Sequence, residues 1–380
     1  MEHFSLTDIK KKNRSDVFHY IYRHSGCSKQ NIATALNISL PTVTQHLTAL
    51  MDEQLIETCG QLRSSVGRKA IAYRVVGTAK LSMGIEILAD TVYMVTIDLY
   101  GHKIVKEKIR LNFQPDTTYF EMLRDTVYAF LREYSIKEEQ LLGIGLAIQG
   151  LASADGRTIT YGEILDSTGI SIEIFEKYFS VPCRFIHDAE CAANSELWEN
   201  STLKDAIYLS LGRHLGGAII LDGKLQKGLT GKSGTFEHMT LVPKGRTCYC
   251  GKQGCAECYC AANAFLTNDM EPEDFFELKS QGNLQCNESW KEYLYYLSVL
   301  INNLHMVLEN TIILGGYITP YFTEDDIAAI RQNIRKLSTF CDSTDFIRIG
   351  KCRNDAVSIG AALPFIQEFL QNLAALDDAY

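Results

Sequence analysis

Five of the chain's twelve cysteines fall between Cys248 and Cys260: three in the run Cys248-Tyr249-Cys250-Gly251-Lys252-Gln253-Gly254-Cys255-Ala256-Glu257 and two, Cys258 and Cys260, directly after it, with His238 upstream. Thiolates and an imidazole at such short spacing suit a closed tetrahedral metal site, and zinc is the metal such a set ordinarily holds. Gly251 and Gly254 let the backbone turn tightly between the thiols. The expected ligands are His238, Cys248, Cys250 and Cys255, with Cys258 and Cys260 as further thiols, one of which substitutes if the register differs. Four protein ligands leave no open position for water, so the role expected for the metal is structural. The competing reading is a group of reduced cysteines packed beside a loop.

The other cysteines (Cys27, Cys59, Cys183, Cys191, Cys286, Cys341 and Cys352) are scattered, as small buried or half-buried residues are. A chain of 380 residues exceeds what one core usually organises, so two or three domains are expected. No apolar run approaches the roughly 18 to 20 residues of a membrane span. The first residues, Met1-Glu2-His3-Phe4-Ser5, show no charged-then-apolar signal pattern, and a cytoplasmic location is the expectation.

The formal charge of −9 is unevenly spread. Residues 1–80 hold 11 Lys/Arg and 6 Asp/Glu, net +5, leaving 26 and 40, net −14, for the remainder. The first segment alone suits a phosphate backbone. Val17, Phe18, Ile21 and Tyr22 recur at helical spacing, Ser28 is placed to cap a second helix through Ile32, Ala33 and Leu36, and Asn37-Ile38-Ser39 makes a turn. Another helix opens at Leu40-Pro41-Thr42, where proline is tolerated in a first turn. Its expected inward face is Val43, Leu47 and Leu50; Thr42, Thr44, Gln45 and His46 are expected to reach base edges in a major groove. Two strands then flank Arg63-Ser64-Ser65-Val66-Gly67-Arg68-Lys69, a wing whose Arg63, Arg68 and Lys69 would touch phosphates or a minor groove. Residues 1–78 thus read as a winged helix-turn-helix, against the blander possibility of a small helical module with a solvated loop.

From residue 79 the pattern alternates. Leu81 to Ile87, Val92 to Leu99 and Ile104 to Leu111 read as strands, Asp116 to Tyr134 as a helix and Gly143 to Ile148 as a buried strand. A second set of the same kind starts near Ala206, and helices about Trp290 to Glu309 and Ala356 to Leu373 flank the strand Ile312-Ile313-Leu314 with its turn Gly315-Gly316. This is an α/β body with two similar halves.

The order of these segments, and above all His238 followed by C-x-C-G-x-x-G-C-x-E, resembles the ROK family of sugar kinases and sugar-responsive repressors across nearly the whole chain. The resemblance implies a duplicated actin-like, ribonuclease H-like sugar-kinase body, divided here at 79–190 and 191–380, with the last helix packing back on the first lobe. It also implies an effector cleft between the lobes. The family's D-I-G-G-T-K phosphate loop stands here as Glu86-Ile87-Leu88-Ala89-Asp90-Thr91, and its G-T-G-x-G-G-G loop as Gly212-Arg213-His214-Leu215-Gly216-Gly217-Ala218. Loss of glycines and the gain of bulky or acidic side chains spoil a backbone cradle for phosphate.

The family's N-D-A-N motif becomes His187-Asp188-Ala189-Glu190, retaining the kinase-type aspartate Asp188 without its asparagines. Its N-G-x-A-G-E-x-G-H motif becomes Thr230-Gly231-Lys232-Ser233-Gly234-Thr235-Phe236-Glu237-His238, where Glu237 is an acid displaced by two positions. The expected sugar-binding residues are His187, Asp188, Glu237, His238 and Glu257, with no catalytic residue. The expectation is therefore a regulator, by the family's habit a repressor of carbohydrate genes. It would bind a double-stranded DNA operator as a homodimer or homotetramer and respond to a sugar or sugar phosphate. The alternatives are an ATP-dependent sugar kinase carrying an added DNA-binding domain, and a body that serves only as a dimerisation scaffold.

Overall fold

The computed structural model describes residues 6–62, 70–266, 270–340, 343–352 and 355–373. The N-terminal unit runs α1 (Leu6–Arg23), β1 (Cys27–Ser28), α2 (Lys29–Leu36), α3 (Leu40–Asp52), β2 (Ile56–Leu62) and β3 (Ala70–Val75). Its punctuation is local chemistry. The Ser28 hydroxyl accepts the Asn31 N–H while the Asn31 side chain accepts the Ser28 N–H, closing a capping box on α2. Asn37, at φ 53°, turns the chain out of that helix. Ser39 accepts the Thr42 N–H at the start of α3, with Pro41 in the first turn. Val17, Phe18, Ile21, Ile32, Val43, Leu47 and Leu50 form the core, and the sheet is ordered β1-β3-β2. Residues 63–69, and with them Arg63, Arg68 and Lys69, lie outside the described residues.

The first lobe comprises β4 (Leu81–Ile87), β5 (Thr91–Ile97), β6 (Lys103–Arg110), α4 (Thr117–Glu133), β7 (Leu141–Ile148), β8 (Leu151–Ala152), β9 (Ile159–Tyr161), α5 (Glu173–Glu176) and β10 (Cys183–His187). After α6 (Asp188–Glu199) the second lobe follows with β11 (Ala206–Leu211), β12 (Leu215–Leu221), β13 (Lys224–Leu225), α7 (Glu257–Cys260), α8 (Pro272–Ser280), α9 (Leu284–Val307), β14 (Thr311–Gly315), α10 (Glu324–Leu337) and β15 (Ile347–Ile349); α11 (Ala356–Asn372) ends the chain's regular structure. The two main sheets are ordered β10-β7-β4-β5-β6 and β13-β12-β11-β14-β15. Counted within each lobe, both read 5-4-1-2-3 or its reverse, an antiparallel hairpin pair followed by two parallel strands. The two halves are therefore one topology used twice.

Among the described residues, two helices join the lobes. α6 continues directly from β10, and its alanines Ala192 and Ala193 pack with Ala206, Tyr208, Ala218 and Ile220 of the second lobe. A lobe boundary at 190/191 consequently falls inside this helix, because the backbone passes from strand to helix at Asp188. α11 leaves the second lobe and lies on the first lobe's sheet, where Ser82 Oγ donates to Ala362 O at 2.8 Å. The approach is close enough to require glycine. A Cβ on Gly84 would stand 1.7 Å from Ser358 O, and one on Gly360 of α11 would stand 1.7 Å from Cys191 O of α6.

The N-terminal unit is docked on this framework through a shared apolar core. Val17, Phe18 and Ile21 belong to one cluster with Val95, Ile97 and Leu99 of the first lobe and Leu363, Ile366, Phe369 and Leu373 near the C-terminus. Tyr22 stacks on Tyr100 at 4.5 Å between ring centres and donates its hydroxyl to Leu99 O at 2.8 Å. Arg14, buried, donates to Leu373 O at 3.1 Å and pairs with Glu53.

Candidate DNA-reading face, metal centre and effector cleft

On α3, Val43, His46, Leu47 and Leu50 are buried. His46, expected among the base-reading residues, is only 2 % exposed, because it lies three residues after Val43 and four before Leu50 and so shares their stripe. The outward face is Thr44, Gln45 and, unforeseen from the sequence, Thr48, which follows Thr44 by one turn. Thr42 is half-buried, its hydroxyl 2.7 Å from Ser39 Oγ. Thr44 and Thr48 donate their hydroxyl protons back to Leu40 O and Thr44 O, at 2.8 and 3.0 Å. That leaves their methyl groups and hydroxyl lone pairs facing outward, and Gln45 as the amide able both to donate and to accept.

His238, Cys248, Cys250 and Cys255 come together with all four ligand atoms within 4.8 Å of one another. Cys250 Sγ and Cys255 Sγ are 3.7 Å apart, and Cys248 Sγ is 4.0 Å from His238 Nδ1. A tetrahedral ion with Zn–S bonds of about 2.3 Å places its sulfurs roughly 3.8 Å apart, so these four residues fit such an ion. The loop holds this shape through Gly254, at φ 83°, where a Cβ would strike Val242 O at 1.8 Å. Burial lowers the pKa of His238, which favours the neutral imidazole that a metal requires. Cys260 is fully buried in the second lobe's apolar core and Cys258 stands outside the tetrad.

Between the lobes lies a cleft lined by His187 and Asp188 at the junction of β10 and α6. Ser210, His214 and Glu237 line it from the second lobe, and Gln149, Tyr161 and Glu163 from the first, with Tyr249 of the cysteine run at its edge. His187 Nε2 is 3.2 Å from Asp188 Oδ1. Burial raises the Asp188 carboxyl above the ordinary carboxylate range, against the pull of His187 and of the Ala189 N–H that it accepts at 2.7 Å. Glu237 is buried, its pKa pushed up to about 8 chiefly by burial, and its Oε2 has no hydrogen-bond partner.

Of the expected sugar ligands, His187, Asp188 and Glu237 face the cleft, whereas Glu257 and His238 stand behind its wall. Glu257 accepts from Leu215 N at 2.8 Å and lies 2.7 Å from His214 Nδ1, so it positions the ring that lines the cleft. His238 meets the rings of Tyr161 and Tyr249 edge-on. His214 looked like an obstruction to phosphate in the sequence, and in the fold it is a wall residue. Tyr161 and Glu163 carry no local pattern that marks them; the position of Tyr249 between two cysteines of the tetrad was the available sign.

Comparison with known proteins agrees with this geometry. The ROK family model matches residues 82–368, and a winged helix-turn-helix DNA-binding model matches residues 11–57. The xylose repressor of Bacillus subtilis (strain 168) is 24 % identical over 323 residues, covering 81 % of this chain and 84 % of that one. The N-acetylglucosamine repressor of Escherichia coli O6:H1 is 26 % identical over 262 residues, covering 68 % and 64 %. In fold, the chain is similar to a crystallised ROK family transcriptional regulator, a homologue of the E. coli MLC protein, with a TM-score of 0.75, 18 % identity and coverage of 97 % and 98 %. With a repeated lobe, a thiolate loop beside an interlobe cleft and a DNA-binding unit ahead of them, this chain belongs to the ROK family.

Proposed function

We propose that the protein is a sugar-responsive, DNA-binding transcriptional repressor with a structural zinc ion and no kinase activity. The observation that carries this reading is the continuous packing from the cleft to the DNA-reading unit. Asp188 lines the cleft and begins α6; α6 meets α11 at the Gly360–Cys191 contact; α11 shares an apolar core with α1. A sugar that prefers one arrangement of the lobes would thereby bias the placement of α3, by its differential affinity for the two states. Two such units in a homodimer would read half-sites about one helical turn apart.

Several features support a regulator over the kinase. In the first loop, Leu111 N and Phe113 N donate to Asp90 O and Ala89 O at 3.0 and 2.8 Å, tying the turn to the chain beyond β6. In the second, Arg213 is held by Met270 O and Glu271 at 3.3 and 3.1 Å and His214 by Glu257. Neither loop is a bare glycine cradle of the kind that wraps phosphate. His238, Cys248, Cys250 and Cys255 would hold zinc, which supplies cross-linking of the loop that closes the cleft.

The test is a salt-titrated binding assay of the full-length protein on DNA from upstream of its own gene, with and without D-xylose or N-acetyl-D-glucosamine, beside a coupled ADP-release assay. Sequence-selective binding that a sugar weakens, with no turnover, is expected. Sugar-dependent ADP release that disappears in Asp188→Asn would overturn the reading.

A further inference from the structure

We infer that Glu237 reads a hydroxyl of an uncharged monosaccharide with its unpartnered carboxyl oxygen, and that this cleft rejects the phosphate ester of the same sugar. The inference rests on the sugar-responsive reading above and narrows its ligand.

Glu237 is 7 % exposed, lines the cleft, and has an Oε2 with no hydrogen-bond partner among the described residues. A buried polar atom without a partner costs free energy that the fold recovers only when a ligand supplies the missing bond. The neighbouring His238 is turned to the cysteines and to Tyr249, and Glu257 is fully engaged by His214 and Leu215 N. Glu237 is thus the acidic side chain of the second lobe whose oxygen is still available to the cleft. Sugar hydroxyls, which both donate and accept, match it in either protonation state.

Charge decides against a phosphate. Three acidic side chains line the cleft, Glu163 at its mouth with Asp188 and Glu237 within, and no Lys or Arg is among the described lining residues. The two basic side chains are already matched, His187 by Asp188 and His214 by Glu257. The N-terminus of α6, a long helix that starts at the cleft, is occupied by the carboxyl group of its own first residue, which accepts the Ala189 N–H. A phosphate dianion would face acidic side chains without a cation to neutralise it, and with no donor fork or helix end free to meet it. The rings of Tyr161 and Tyr249 at the walls add apolar surface of the kind that packs on sugar C–H groups.

The experiment is calorimetric titration of the full-length, zinc-loaded protein with D-xylose, D-glucose, N-acetyl-D-glucosamine, glucose 6-phosphate and N-acetylglucosamine 6-phosphate. At least one uncharged sugar is expected to bind, and each 6-phosphate at least roughly tenfold more weakly than any binding parent sugar. Glu237→Ala should weaken the binding sugar by roughly 10- to 100-fold, the scale of one hydrogen bond to a charged or strongly polar group. Glu237→Gln should lose less, and both should retain metal content and the ligand-free melting temperature. A 6-phosphate that binds as tightly as or more tightly than its parent, or a folded Glu237→Ala with unchanged affinity, overturns the inference and leaves the sugar-responsive reading standing. Silence from all five compounds overturns that reading and the inference with it. The comparison of esters uses only the wild-type chain, so it decides the matter even if the alanine variant fails to fold.

Discussion

Replacing Gly360 by alanine should separate the two helices that link the cleft to the DNA-reading unit. The added methyl carbon would lie 1.7 Å from Cys191 O, 2.4 Å from its carbonyl carbon and 2.8 Å from its Cα, all backbone of α6. Carbon contacts settle near 3.5 Å, so α6 and α11 would have to part by about 1.5 Å. That movement strains the hydrogen bonds from Ser195 Oγ to Ala356 O at 2.6 Å and from Gln367 Nε2 to Asn194 Oδ1 at 3.2 Å. Overpacking of this kind costs about 1–3 kcal/mol and sometimes more, and a weakened buried hydrogen bond about 1 kcal/mol further. Alanine's better helix propensity returns up to about 1 kcal/mol. The net loss is about 1–4 kcal/mol, which in a domain of this size lowers Tm by roughly 2–8 °C at about 2 °C per kcal/mol. Differential scanning calorimetry measures this, and a parallel DNA-binding titration should show near-normal basal affinity with a blunted sugar response. A Tm equal to or above wild type would mean that propensity outweighs the contact, and would refute the close packing on which the coupling argument depends.

Gln45→Ala should lower affinity for the specific operator by roughly tenfold or more while leaving scrambled DNA unaffected, since a bidentate amide–base contact contributes about 1–3 kcal/mol of discrimination. His46→Ala, by contrast, should lower the melting temperature and leave the specificity ratio in place, as fluorescence anisotropy against both DNAs would reveal. Cys255→Ser removes a thiolate from the 3.7 Å Cys250–Cys255 pair; metal content should fall from about one ion per chain towards zero, with limited proteolysis opening near residues 239–260. Glu86 has its pKa pushed from 4.5 to about 8, first by burial and then by Asp188. The native state therefore holds a proton that the unfolded chain releases, so stability declines between about pH 4.5 and 8, by at most about 1.4 kcal/mol per pH unit. Glu86→Gln should flatten that decline in urea unfolding curves at pH 6, 7 and 8, and parallel curves for the two proteins would show that another group is responsible.

The local code of the N-terminal unit was readable before any coordinates. Ser28, Asn37, Ser39 and Pro41 act on backbone within four residues of themselves, so helix ends follow from sequence. The gathering of His238 with three cysteines was legible for a similar reason, since Cys248, Cys250 and Cys255 are joined by two glycine turns, and the duplicated strand pattern recurred with enough β-branched residues to be seen. His46 marks where such reading fails. A short polar stretch on α3 looks uniform, and only the packing of Val43 and Leu50 against the neighbouring helices decides which side is buried.

The cleft is a more thorough case. Glu257 and Glu237 are equally plausible sugar ligands as letters, but a 2.7 Å contact with His214 consumes one while the other keeps a free oxygen. Tyr161, Glu163 and Ser210 reach the same space from strands and turns that are far apart in the chain. The route from Asp188 through α6 and α11 to α1 joins residues about 350 positions apart, as Arg14 to Leu373 shows. Propensity and spacing act over a few residues and determined the elements and the thiolate loop. Which side chains share a cavity, and which helix touches which, depend on close packing between distant segments, and only the tertiary structure decided them.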